Sequence, residues 1–389
     1  MRKQDMCAII DLNEPSEALA PLTDERPVGT MPFAGRYRLV DFPLSAISNA
    51  DIRTVGIFLP KSSRSVEDHV RSGQAWDMDT ITGGVFTFPY VATRDYDDPT
   101  NIHRYYDNYL TFLIKSKSEY VFITGARHVS NIDVSALLQF HQASPNPITA
   151  VYRSVPTATA NPEQEAFVLD ADNEVVDFAP SKDVKERVSN HTKPISMQMY
   201  LTRTDYLIEL LSRVQNSGKF IRLPQLIHQE ITTAQANAFE YTGYCATIHD
   251  IPSYFQANMD MLDEEKFHSL LFSQRAIYTK NKNEAPTYFA PEADVLSSLL
   301  GTGGRVYGKL RDSVLFRNVY VDHDAQVLHS IIMQGSRIGN GADVEYVIMD
   351  KGCVVGPDVK LIGTPEAPIV LKKGTTILDQ SAAEEVLQS

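Results

Sequence analysis

The feature that most constrains this chain is a repeat in its last hundred residues. Asp312-Ser313-Val314-Leu315-Phe316 aligns with His329-Ser330-Ile331-Ile332-Met333 and with Glu345-Tyr346-Val347-Ile348-Met349. Six residues after the fourth member of each stands an aliphatic: Val321, Ile338 and Val354. A further aliphatic recurs six later at Val327 and Val344. An earlier, less regular copy is Ser297-Ser298-Leu299-Leu300, followed by Val306. One inward aliphatic per six-residue step, sixteen or seventeen residues per coil and glycines at turns (Gly335, Gly339, Gly341, Gly352, Gly356) predict a parallel β-helix. Its ordinary role is support and oligomerisation by stacking. The sharper alternative is an acyltransferase, for which His323 and His329 are the local candidates.

The first half alternates apolar strands with helical patterns. Strands are expected at Met6-Cys7-Ala8-Ile9-Ile10, at 54–59, at 120–124 and at 148–152, with helices over 105–115 and 134–143. Such alternation implies parallel strands joined by crossover helices, with ligands at the carboxyl ends of the strands. Residues 165–178 read as a hairpin turning at Ala171-Asp172-Asn173, 181–192 as a surface loop and 254–272 as helical. The Pro- and charge-containing stretch 280–291 marks a boundary, which divides the chain into 1–279 and 280–389.

The turn after the first strand is unusual. Nucleotide-binding α/β domains carry glycines there, so that backbone N–H groups reach phosphate. Here it reads Asp11-Leu12-Asn13-Glu14-Pro15-Ser16-Glu17-Ala18, with no glycine and three carboxylates. A triphosphate would be repelled. The net charge of −13 argues equally against nucleic acid as a partner. Cys7, Cys245 and Cys353 are odd in number and far apart, as expected of reduced thiols in a cytoplasmic protein. The N-terminus leads into only five apolar residues, too few for a signal peptide or membrane span, so neither is expected.

Several segments together carry a resemblance: LAPLT at 19–23, Arg26, MPFAGRYRLVDFPLS at 31–45, SGQAWD at 72–77, GGVF at 83–86, ANMDML at 257–262 and SVLFR at 313–317. They resemble the glucose-1-phosphate adenylyltransferase (ADP-glucose pyrophosphorylase) family over nearly the whole chain. The resemblance implies an α/β fold with a Rossmann-like nucleotidyltransferase domain, then a left-handed parallel β-helix, assembled as a tetramer.

Measured against that family, the chemistry is missing. The family's GGxGTRL turn falls on residues 13–19, with Ala18 at the arginine, and Val28 stands at the lysine of RAKP. GTADA falls on Thr100-Asn101-Ile102-His103-Arg104. GDHIY, whose aspartate holds Mg²⁺, falls on Gly125-Ala126-Arg127-His128-Val129. EKP falls on Ala179-Pro180-Ser181, so its lysine is absent unless Lys182 substitutes. GYWxDVGT becomes Gly243-Tyr244-Cys245-Ala246-Thr247-Ile248-His249-Asp250, with Thr247 at the aspartate. Gly125, Ser196 and Tyr200 are the remnants of the sugar-phosphate pocket, with Gln198 where the family's ASMGIY segment has glycine. Arg36 and Arg38 fall where the family binds an anionic effector.

These losses should multiply, because phosphoryl transfer depends on positioning and charge neutralisation. The resemblance is therefore to the non-catalytic GlgD-type subunit of glycogen biosynthesis. Such a subunit would have no cofactor of its own, Mg²⁺ belonging to a catalytic glucose-1-phosphate adenylyltransferase partner in a hetero- or homotetramer. A phosphorylated metabolite is the expected effector. The alternatives are an active sugar-1-phosphate nucleotidyltransferase, for which Asp133 is the only nearby carboxylate, and a stand-alone homo-oligomeric metabolite sensor.

Overall fold

The computed structural model describes residues 6–81, 83–92, 99–187 and 191–388. Nine strands form one mixed sheet: β1 (Met6–Asp11), β2 (Thr54–Phe58), β3 (Gly84–Phe88), β4 (Tyr120–Thr124), β5 (Ile148–Pro156), β6 (Glu165–Leu169), β7 (Glu174–Pro180), β8 (Thr192–Arg203) and β9 (Ala236–Glu240). Their order is β3-β2-β1-β4-β8-β5-β9-β7-β6. In β1, Ala8 and Ile10 enter one core and Cys7 and Ile9 the other. Burial on both faces is why this strand reads as an unbroken apolar run.

β1 to β4 run parallel, as the alternation implies. β5 does not join them directly. β8 inserts between β4 and β5, antiparallel to both. Alternation identifies which segments are strands, but neighbours are chosen by a segment from 40 residues further on. The hairpin of β6 and β7 forms as expected.

The expected helix over 105–115 extends to α1 (Pro99–Ser116), and α2 (Val134–Ala143) starts at Asp133, whose side chain accepts from Ala136 N. The expected helix over 254–272 is broken. It consists of α3 (Ile251–Met259) and α4 (Glu264–Leu271), because the Asp263 side chain accepts from Lys266 N and begins a new helix. Of the expected loop 181–192, residues 188–190 lie outside the described residues, as do 1–5 and Ser389. Its first residue, Ser181, is buried rather than on the surface, because its hydroxyl bonds Asn161 O at 3.0 Å.

Beyond Tyr288 the chain winds through three parallel sheets of six, five and five short strands. Each coil contributes one strand to each sheet, the geometry of a left-handed parallel β-helix. Leu310, Val327, Val344 and Leu361 stack along one inner wall, and Val306, Val321, Ile338, Val355 and Ile377 along another. The third repeat copy shifts by one residue from the sequence alignment. Ile348 and Met349, rather than Val347 and Ile348, pair with Ile331 and Ile332, and Val355 rather than Val354 follows Ile338. His329 stacks on Tyr346 with ring centroids 4.8 Å apart, in keeping with that register.

The outward residues of the third sheet, Val314, Ile331 and Ile348, belong to the core of the α/β part. Gly35, at φ +71°, lies against Leu315 O, where a side chain would intrude. The adjoining hairpin (Pro32–Phe33 with Tyr37–Arg38) is pinned from α3: Tyr254 donates to Pro32 O at 2.6 Å, and Asn258 Oδ1 accepts from Ala34 N at 3.0 Å. No helix among the described residues is long and apolar enough to cross a membrane.

Candidate functional site

A cavity of about 360 Å³ opens at the carboxyl ends of β1, β2 and β4, where ligands of such sheets bind. One wall is aromatic: Tyr109 of α1 stacks on Phe58 with centroids 3.7 Å apart, and Phe58 stacks on Phe88 at 4.8 Å. The floor is the acidic turn. Asp11 Oδ1 accepts from both nitrogens of Asn13 at 2.9 Å, and Asp11 Oδ2 accepts from the Tyr109 hydroxyl at 3.0 Å.

Glu14 does what the sequence did not reveal. Its Oε1 accepts from Ala126 N at 3.0 Å and Arg127 N at 3.1 Å, capping the turn that follows β4. A side chain at Gly125 would collide with this carboxylate. Burial pushes the Glu14 carboxyl up to about 7, against the opposing pull of Arg127 and the two N–H groups. The chain's own carboxylate thus occupies an anion-receptive pair of amides.

A second cavity of about 260 Å³ adjoins the first, and Arg127, Glu165 and Gln198 line both. Here His128 is buried, and its Nδ1 lies 3.1 Å from Thr247 Oγ1, which also accepts from Gln164 Nε2 at 3.0 Å. Burial first, then the nearby Arg127 and Arg153, hold His128 down to about 3, so it is neutral. The ladder pairing His128–Ser130 with Cys245–Thr247 brings these positions together.

Of the remnant positions, Gly125 and Tyr200 line the first cavity and Ser196 the second. The Tyr200 hydroxyl meets His228 Nε2 at 2.7 Å, and Glu165 Oε1 lies 3.3 Å from the same nitrogen. Neither His228 nor Glu165 is signalled by spacing, since the three come from separate strands and a helix. Among the altered positions, Ala18 is exposed, and Val28 and Ala126 are packed in the core. The exposed Lys182 pairs with Glu163 at 2.6 Å. Asp133 caps α2 and pairs with Arg275 at 3.0 Å. His323 lies 3.2 Å from Glu292 on the outside of the β-helix.

A third, wider crevice of about 630 Å³ is lined by Arg36, His69, Arg71, Tyr278 and Lys280. Burial and the neighbouring Lys282, Arg71 and Arg38 hold the Lys280 ammonium below its ordinary range. Burial, Arg317 and Arg38 do the same to Lys282. Arg38 itself is half-buried and donates to Ser65 O at 3.0 Å, so Arg36 is the arginine of this pair that faces the crevice.

An acidic, aromatic cavity in a mixed α/β sheet, joined to a β-helix, defines a class. Residues 16–263 match the nucleotidyl transferase family, and 288–367 match the GlmU-like, C-terminal hexapeptide family. The chain belongs to the nucleotidyl transferase family. Within it, the chain is similar to the glycogen biosynthesis protein GlgD of Bacillus subtilis (strain 168), with 29% identity over 374 residues, covering 96% of this chain and 97% of that protein. It is also similar to the glucose-1-phosphate adenylyltransferase of Bacillus cytotoxicus, with 28% identity covering 91% of this chain and 94% of that enzyme.

The Mg²⁺ that the family resemblance implies does not fit these residues. Ala126 offers no donor, Thr247 is engaged with His128, and Arg127 adds a positive charge beside them. Hard divalent cations require oxygen ligands, carboxylates above all.

Proposed function

We propose that this chain is a regulatory, catalytically silent or weakly active subunit of a glucose-1-phosphate adenylyltransferase in glycogen biosynthesis. That reaction joins ATP and glucose 1-phosphate to give ADP-glucose and pyrophosphate. The observation that carries the reading is Glu14 seated on the Ala126 and Arg127 amides. A carboxylate there opposes the charge that a triphosphate brings. Each lost stabilising group costs on the order of a hundredfold in rate, and several are lost together.

The similarity to GlgD and to glucose-1-phosphate adenylyltransferases over more than nine-tenths of the chain supports the pathway. In this reading the chain assembles with a catalytic homologue, as a hetero-tetramer, and Mg²⁺ is held by that partner. The Arg36–Arg71–Lys280 crevice receives a phosphorylated metabolite effector, since a guanidinium grips phosphate bidentately.

The test is pyrophosphate release from ATP and glucose 1-phosphate with Mg²⁺, for this chain alone, a catalytic homologue alone and the two co-expressed. The expected result is silence alone and a raised turnover or effector response in the pair. Turnover by this chain alone at an ordinary enzymatic rate overturns the proposal, as does the absence of any complex.

A further inference from the structure

We infer that anion binding in the Arg36–Arg71–Lys280 crevice is coupled to protonation of His69, so that the crevice holds its anion more tightly as pH falls. The inference rests on the reading of this crevice as an effector site and adds a regulating proton to it.

His69 stands in the helix Arg64–Val70 and lines the crevice beside Arg36, Arg71 and Lys280. Its ring is almost wholly buried, and Nε2 lies 2.5 Å from Oδ1 of the fully buried Asp41. Asp41 opens the helix Asp41–Asn49, and its Oδ2 accepts from Arg38 N at 2.9 Å. Both carboxylate oxygens are therefore engaged, which holds the carboxylate against the ring. Trp76 packs edge-on from another side, with ring centroids 5.7 Å apart. The imidazole is thus fixed at Nε2, and a second proton goes to Nδ1.

The opposite wall is tied to the same helix. The Ser45 hydroxyl accepts from Tyr278 N at 2.8 Å and donates to Asp41 O at 2.6 Å. Lys280 Nζ donates to Asp68 O at 2.8 Å, which keeps this ammonium over the helix that carries His69. The cations, the imidazole and its carboxylate therefore form one packed unit.

The charges around the ring give the coupling its sign. Among the described residues, none of the side chains lining the crevice is acidic. Glu67 and Asp68, on the same helix as His69, are exposed, and Asp68 lies 3.8 Å from Arg64. Asp41 is thus the carboxylate in contact with His69, while Arg36, Arg38, Arg71 and Lys280 surround the pair. Burial first, and then Arg38 and Lys280, hold His69 below its ordinary range against the pull of Asp41. An anion among these cations cancels part of their field, and protonation of the ring becomes easier without any contact between the two. Linkage makes the effect mutual: the proton adds a cation to the crevice floor and strengthens the hold on the anion.

The test is an NMR titration of the histidine rings of the full chain, with and without sulfate at constant ionic strength. Sulfate takes up no proton in this range. The His69 signal is assigned by its contact with Trp76, the one tryptophan of the chain. Its titration midpoint is expected to rise by roughly 0.5 to 1 in sulfate. Sulfate affinity should correspondingly tighten by roughly three- to tenfold between about pH 7.5 and 5.5. His69→Gln should lose that tightening, whereas Lys280→Arg, which keeps the charge but does not titrate, should retain it. An unmoved His69 midpoint, or the same pH dependence in His69→Gln, overturns the inference and leaves the crevice as an anion site. Failure of sulfate to bind at any pH overturns the crevice reading together with the inference, so the two failures are distinguishable.

Discussion

Arg26 of the α/β part reaches across to Asp350 of the β-helix, placing Nη2 2.6 and 2.5 Å from the two carboxylate oxygens. Both side chains are almost wholly buried, at 5% and 2% exposure. Removing one partner leaves an uncompensated buried charge. Arg26→Ala should therefore destabilise by roughly 3–5 kcal/mol in urea unfolding. The joint Arg26→Met and Asp350→Leu variant should cost clearly less. Equal losses in the two variants would show that the pair's charge is not what matters.

Lys351, next in the chain, is held down to about 7 by burial first and then by Arg26 and Arg38. Removing Arg26 should raise the Lys351 value, read by NMR titration of the lysine side chain. No upward shift in Arg26→Met would contradict this arrangement.

The Glu14 carboxyl lies near 7 in the folded chain against 4.5 ordinarily. Between those values the folded state keeps a proton that the unfolded state releases. Its contribution to stability is thus full below about pH 4.5 and is lost as pH rises through 7. Glu14→Gln should remove this fall, on the order of 1–3 kcal/mol across that window. His128 contributes the opposite slope between about 3 and 6.5, but it is common to both proteins and cancels in their difference. Parallel stability profiles for wild type and Glu14→Gln would refute the assignment.

The crevice cations should bind multivalent anions. Inorganic pyrophosphate is expected to raise the melting temperature of the full chain. Arg36→Ala and Lys280→Ala should each weaken it roughly tenfold, with the effect fading as salt increases. A salt-independent or unchanged response would count against the crevice as an anion site.

Gln198→Gly should stabilise the chain by roughly 1 kcal/mol, because glycine adopts φ +51° without strain and the Gln198 side chain is exposed. Thermal unfolding reads the effect, and an unchanged or lowered melting temperature would count against it.

Much of the architecture was legible residue by residue. Cys7-Ala8-Ile9-Ile10 announces a strand buried on both faces, and Val321, Ile338, Val327 and Val344 announce coils of a β-helix. The identities of Ala126 and Thr247 already exclude a carboxylate at those points. The third coil shows where pattern reading ends. Val347, Ile348 and Met349 are all buried, since one face of that strand meets the coil interior and the other the α/β core. Three consecutive apolar residues hold no period-two signal, so the one-residue register was decided only by stacking on Ile331 and Ile332.

The site divides in the same way. Sequence alone establishes which side chains are present, and hence that the turn after β1 is acidic. Only the tertiary structure seats Glu14 on amides 112 and 113 positions away, inserts β8 beside β4 and brings Arg36 together with Lys280. Local patterns report which faces of a segment avoid water. Pairings between distant polar groups depend on the packing of the whole chain, because each is a contact that no neighbouring residue specifies.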